Sequence, residues 1–211
     1  MEIHAIRTPA TSAATELLEQ QHRLRARVFS DRLGWSVSVR DGLEHDEYDH
    51  LRPTYIMAVN ERRQVVGCVR LLPVTGPTML ETTFPMLLDD GRLEGSRAAV
   101  ESSRFCVDTA LTEGRGSGLH LTTLTMFAGI IEWSIANGYC EIVTATDIRF
   151  ERILRRAGWQ MQRLGTPQRV GNTVAVAGKL QVDQSSFERV CPPSYRPGAI
   201  KCSALSFRNA A

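Results

Sequence analysis

The 211-residue chain predicts a single α/β domain of three layers, α-β-α, around a mixed central sheet. Three observations carry this. Apolar runs of strand length come early, at 55–59, 64–72 and 100–107, the first two joined by a short polar turn that suits antiparallel pairing. The second half alternates strand, helix, strand, helix, strand, and such crossovers bring in parallel pairing with helices on both faces. No Gly-x-Gly-x-x-Gly turn follows a strand, which disfavours a dinucleotide-binding, doubly wound sheet.

The elements follow in order. Residues 13–32 predict a helix: Leu17, Leu24 and Val28 form one stripe and Leu18, Arg25 and Phe29 an adjacent one, so Arg25 belongs at the edge of the buried face. Residues 36–53 are polar and aperiodic and predict an irregular loop. The runs 55–59 and 64–72 form a hairpin across Asn60-Glu61-Arg62-Arg63. Residues 119–136 predict a long apolar helix stopped by Asn137-Gly138. A short strand at 141–145 precedes a basic helix at 148–157, and strands at 159–164 and 172–180 complete the core. The domain spans 1–190, and the Pro-rich stretch 191–211 is expected to be a peripheral tail.

Bulk properties exclude several classes. Lys and Arg number 25 against 23 Asp and Glu, interleaved without a basic tail, which argues against a nucleic-acid partner. Met1-Glu2-Ile3-His4 lacks the charged start of a secretory signal, and the apolar run 126–131 is too short to span a bilayer, so a cytoplasmic chain without a membrane partner is expected. Five cysteines without Cys-x-x-Cys spacing suggest reduced, mostly buried thiols and no zinc. His4, His22, His45, His50 and His120 share no metal-ligand spacing.

Chemistry concentrates in a few polar blocks. Glu44, Asp46, Glu47 and Asp49 fall within six residues and repel one another unless a cation lies among them. The block reads as a solvated loop or as part of a site. Calcium is disfavoured because EF-hand spacing is missing. Trp35 nearby offers a cation–π face for a cationic ligand. In Glu101-Ser102-Ser103-Arg104-Phe105, a regular strand puts Glu101, Ser103 and Phe105 on one face and Arg104 on the other. Glu101 and Arg104 therefore meet only across a bulge, as an ion pair or as parts of one site in which Glu101 is the base and Arg104 anchors the acidic block. Arg70, on a face with Val66, Cys68 and Leu72, calls for Asp46 or Asp49 as partner. Arg115-Gly116-Ser117-Gly118 nearly matches the pyrophosphate loop of Gcn5-related N-acetyltransferases, but His120 stands where that loop has Gly or Ala. Arg149, Arg152 and Arg156 share one helix face, either solvated or a docking surface for an acidic carrier.

With these blocks in place, residues 15–180 resemble the acyl-homoserine lactone synthases, the autoinducer-making enzymes of quorum sensing. The resemblance rests on Arg25, Phe29, Trp35, Asp46, Asp49, Arg70, Glu101 and Arg104 at the family's spacing, and is nearest to members controlling plasmid conjugation in plant-associated bacteria. It implies a V-split sheet like that of the Gcn5-related N-acyltransferases. It implies two substrates, S-adenosylmethionine and an acyl group on acyl carrier protein, and no cofactor or metal. Glu101 would be the base, with Arg104, Asp46 and Ser103 beside it. Arg25, Phe29, Trp35, Asp49, Arg70, Phe105 and Thr144 would line the substrate sites, and Arg149, Arg152 and Arg156 would dock the carrier. Thr144 points to a 3-oxo chain, 3-oxooctanoyl by the nearest branch, with Met79, Met126 and Phe105 as candidate walls. The alternatives are a coenzyme A-dependent N-acetyltransferase and a non-catalytic ligand sensor of the same fold.

Overall fold

A computed structural model describes residues 1–93, 95–108 and 120–203. In chain order the elements are β1 (Glu2–Ile6), α1 (Ser12–Arg25), the ribbon β2 (Val39–Arg40) and β3 (Leu43–Glu44), the hairpin β4 (Thr54–Val59) and β5 (Val65–Pro73), and the single turn α2 (Met79–Thr82). There follow β6 (Ala99–Val107), α3 (Leu121–Ala136), β7 (Glu141–Asp147), α4 (Ile148–Arg156), β8 (Gln162–Arg163), β9 (Gln168–Val170), β10 (Thr173–Gln181), α5 (Gln184–Val190) and β11 (Lys201–Ser203). The main sheet runs β11-β1-β4-β5-β6-β7-β10-β8, with β9 also on β10. It is mixed as expected: β1/β11 and β6/β7 are parallel, and the other pairs are antiparallel.

Helices cover both faces. Leu17, Leu24 and Val28 pack against Tyr55, Met57 and Cys68 on one face. On the other, Phe127, Ile130 and Leu154 pack against Ile56, Val69, Val100 and Ile142. Strands β4 and β5 are buried almost end to end, which explains their unbroken apolar runs. Short polar side chains start the helices: Thr11 accepts from Ala14 N–H, Asp147 from Phe150 N–H at 2.7 Å, and Asp183 from Ser186 N–H at 2.6 Å. After α3 the chain turns through Asn137 and Gly138, whose φ of +78° lies where glycine is unstrained.

Four expectations are corrected. The 13–32 helix is α-helical only to Arg25 and continues as a π-helix over Ala26–Arg32. The 36–53 loop contains a two-stranded ribbon and a 3-10 turn, Glu47–Leu51. Only Gln162–Arg163 of the strand expected at 159–164 pairs, because Trp159 N–H still bonds Leu154 O at 3.0 Å to finish α4. Of the stretch expected to be a peripheral tail, the described residues 191–203 are tied to the domain: β11 extends the sheet beside β1, and Glu132 of α3 accepts from the Tyr195 hydroxyl and the Gly198 N–H. The thiols also differ from expectation, since Cys68 and Cys106 are buried but Cys140 and Cys202 are exposed. Among the described residues no helix is long and apolar enough to cross a membrane.

Candidate active site

The site begins where two parallel strands part. β6 pairs with β7 from Ala99↔Glu141 only as far as Ser102↔Thr144. Beyond that point β6 stays with β5 to Val107, and β7 stays with β10 to Asp147. The sheet therefore opens into the expected V. A bulge accompanies the opening. Arg70 pairs with Ser103 and Cys68 with Cys106, so Arg104 and Phe105 together oppose the single residue Val69. Arg104 takes φ = +55°, a left-handed conformation that costs a non-glycine residue about 1–2 kcal/mol.

The bulge does not bring Arg104 to Glu101. Arg104 turns into the acidic block and anchors it as expected, with Nε donating to Glu44 Oε1 at 3.1 Å and Nη2 lying 2.9 Å from Asp46 Oδ2. Arg25 is completely buried rather than at an edge. It donates to Glu44 through Nε and grips Asp49 with two bonds of 2.8 and 3.0 Å. Arg70 donates to Asp46, to Asp49 Oδ1 at 2.9 Å and to Ser103 Oγ at 3.1 Å. Val66, expected on the same face, packs on the opposite one. Three guanidiniums thus meet three carboxylates, and the cations that the block requires are the chain's own. Burial raises the Asp49 pKa, but Arg25, Arg70 and the Tyr55 hydroxyl (2.6 Å) outweigh it and hold Asp49 well below the usual carboxylate range. Glu47 is exposed.

Above the network lie two stacked rings, Phe29 and Trp35, with centroids 5.2 Å apart. The π-helix sets them there. Its wide turn, closed by Leu33 N–H on Val28 O, changes the phase after Arg25, and Trp35 N–H returns to Phe29 O at 2.8 Å. Phe29 also takes a cation of the chain itself, the Arg104 guanidinium carbon lying 5.4 Å from the ring centre.

Glu101 points to the face carrying α2. Its two carboxylate oxygens accept the Met79 and Leu80 N–H groups at 2.9 and 2.6 Å. Burial pushes its pKa up, against the pull of those N–H groups and of Arg70. Such a carboxylate is held in place yet keeps lone pairs for a proton. Ser103 Oγ already accepts from Arg70, which leaves its own proton to donate. Thr144 lines the cavity, and its hydroxyl donates to Ser102 O at 2.8 Å, clasping the V at its vertex.

One cavity of about 820 Å³ passes through the split. On the α1–α2 face it is lined by Phe29, Trp35, Met79, Phe84, Glu101 and Ser103. On the α3–α4 face it is lined by Phe105, Phe127, Phe150, Leu154, Trp159 and Leu180. A space of this size, mostly apolar with few polar groups, suits two linked substrates. Met126 is no wall; it is fully buried against Gly67, 3.2 Å from where a Cβ would stand. Arg149 lies at the rim, and Arg149, Arg152 and Arg156 are exposed along α4. Residues 115–118 lie outside the described residues. His120 caps α3, accepting from Thr122 N–H at 3.3 Å.

Sequence reasoning missed three contributors. Glu44 lay in the acidic block but was given no role of its own, although it bonds two arginines. Tyr55 looked like a core aromatic, and Trp159 like a strand residue. The only hint for Tyr55 is a hydroxyl in an otherwise apolar run. His22, His45 and Asp49 also converge closely enough to suggest a metal. However, both Asp49 oxygens are filled by Arg25, Arg70, Tyr55 and the Asp46 N–H, and the histidine rings stack at 3.8 Å instead of converging on a point.

The autoinducer synthase family model matches residues 10–190. The chain belongs to that family. An acyl-homoserine-lactone synthase of Rhizobium radiobacter is 63% identical over 195 residues, 92% of either chain. The solved structure of BjaI, a CoA-dependent acyl-homoserine lactone synthase with SAM and isopentyl-CoA, is 26% identical with a TM-score of 0.82, covering 97% of this chain and 94% of that one. TofI, in a ternary complex with an inhibitor and MTA, is 27% identical with a TM-score of 0.75, covering 92% and 98%. Likeness to N-acyltransferases outside the family, at 13–16% identity, concerns fold alone. This synthase is an acyltransferase, and the V-split sheet is the one its family shares.

Proposed function

We propose that the synthase transfers a medium-length acyl group, 3-oxooctanoyl, from acyl carrier protein to the amine of S-adenosylmethionine and then closes the lactone. The observation that carries this is the single cavity with unlike halves: aromatic and carboxylate-bearing on one face of the sheet, apolar on the other. S-adenosylmethionine occupies the half under Phe29 and Trp35, and the acyl chain passes the split between β6 and β7. That BjaI has been solved with both SAM and an acyl-CoA supports a two-substrate cleft in this fold.

Glu101, its pKa raised by burial, takes the ammonium proton directly or through water. The freed amine attacks the thioester carbonyl. Ser103 and backbone N–H groups left open beyond Ser102 stabilise the tetrahedral oxyanion until the carrier thiolate departs and takes up the second amine proton. The methionyl carboxylate then attacks its own γ-carbon, breaking the bond to sulfur and releasing methylthioadenosine. This step is intramolecular and needs chiefly the right fold of the substrate. Arg25, Asp46, Asp49, Arg70 and Arg104 act by holding the wall rigid. Thr144 can reach a 3-oxo carbonyl only by turning its proton away from Ser102 O. The exposed arginines of α4, beside the rim, suit an acidic carrier, and no cofactor or metal takes part.

Glu101→Gln tests the reading. Glutamine keeps one acceptor for the α2 N–H groups, turns its NH2 toward the other and removes the base, so turnover should fall about 10²–10⁴-fold while stability falls by about 1–3 kcal/mol. Undiminished methylthioadenosine release would remove Glu101 from the chemistry. Parallel assays with acyl-carrier and acyl-coenzyme A donors assign the donor.

A further inference from the structure

We propose that Trp159 is the floor of the acyl half of the cavity and sets the longest chain the synthase transfers. This rests on the reading above that a fatty acyl group crosses the split. On the α3–α4 face the cavity runs from the vertex at Thr144 past Ile142 and Leu180, which are paired neighbours on β7 and β10, and meets the Trp159 indole. The indole N–H donates to Gln181 O at 2.8 Å, and Gln181 pairs with Glu141. The floor is therefore three residues of β7 below the vertex, about 10 Å at ~3.3 Å per residue.

The ring is held on several sides. Its N–H is bonded, and its plane meets Phe127 edge-on with centroids 5.5 Å apart. Its backbone is fixed by the end of α4, where Trp159 N–H reaches Leu154 O and Gly158 O accepts from Arg189 Nε at 3.0 Å. At 3% exposure it has no solvent to swing into. An unbranched side chain here would yield to a longer ligand, whereas a pinned indole does not. A closed apolar pocket discriminates about 10–200-fold per methylene, so one ring can set the product.

The test is a competition among acyl-carrier donors of even length from four to fourteen carbons, offered with S-adenosylmethionine to the purified enzyme, with the lactones separated by mass spectrometry. Trp159→Leu should raise the ratio of lactones two to four carbons longer than the preferred one by about tenfold or more, while the preferred donor is still used. An unchanged chain-length profile in an active Trp159→Leu enzyme overturns the inference. If that variant does not fold, Leu180→Phe, which fills the space above the floor, must shift the profile toward shorter chains, and its failure to do so is equally decisive. A wild-type enzyme that makes no lactone from any donor overturns the parent reading and this inference with it; an active enzyme with an unmoved profile overturns this inference alone.

Discussion

On the α1 side of the sheet, Arg25, Arg70 and Arg104 are buried against Glu44, Asp46 and Asp49 with nearly every polar atom partnered. On the α3 side the same cavity is walled by Phe105, Phe127, Phe150 and Leu154, which touch one another only through apolar surface. The difference teaches what each wall can tolerate. A closed ion network is all-or-none, because removing one member leaves its partners charged and dry. An apolar wall is graded: its side chains can be exchanged for others of different volume, at a cost that follows volume. Under the proposed function, geometry at the reacting atoms comes from the charged half and substrate choice from the apolar half.

The largest expected effect breaks the charged half. Arg25→Met should cost about 3–5 kcal/mol in urea unfolding, since Glu44 and Asp49 lose a buried guanidinium. A cost no greater than that of a surface change would show the network to be dispensable. Next comes pH. His22 packs under the network, its Nδ1 2.8 Å from Glu44 O, and burial, with Arg25 next, pushes its pKa down to about 4. The unfolded chain takes up that proton near 6.5 and the folded chain refuses it until about 4, so stability present above 6.5 is lost as pH falls through this window. The loss is roughly 2–3 kcal/mol. His22→Phe should flatten the stability profile between pH 6.5 and 4, and an unchanged slope would count against a neutral buried imidazole. A smaller effect sharpens the vertex: Thr144→Val removes the bond to Ser102 O and should cost about 1 kcal/mol in thermal unfolding. The smallest structural effect is on the outer surface. Arg152→Glu should leave stability within about 0.5 kcal/mol while lowering kcat/KM with carrier-bound donors, most at low salt. Equal loss with a coenzyme A donor would show that α4 does not read the carrier.

The strands that carry the site were legible because each is buried on both faces and its apolar run is continuous; β4, β5 and the start of β6 needed only turn residues to bound them. β1 and β11 were not, since five and three residues carrying His4 and Lys201 acquire their strand character only from distant partners, β1 from β4 and β11 from β1. The polar blocks declared their chemistry through residue type alone. Their partners stayed hidden because the bonds join residues 19 to 60 apart in sequence, and which arginine meets which carboxylate depends on a bulge and a π-helix. Neither has a strong residue code: a π turn differs from an α turn by one bonding step, and Arg104 is a poor candidate for a left-handed φ. Trp159 was misread for a related reason, because three residues past the end of a helix its side chain can point inward as readily as on a strand.

The bulge at Arg104 has a consequence for how such a cleft arises and is lost. Every side chain of β6 beyond it is shifted by one position relative to a regular strand, so Phe105 faces the α3 side while Cys106 faces α1. Deleting this one residue would restore the two-residue period with Phe105 and Cys106 kept on their present faces, whereas straightening the strand with Arg104 retained would exchange them. The deletion would also send the strand on in line with its neighbours, removing the bend that carries β6 away from β7. The opening between β6 and β7 is in this sense a frame of one residue, gained or lost by an insertion or deletion of a single codon.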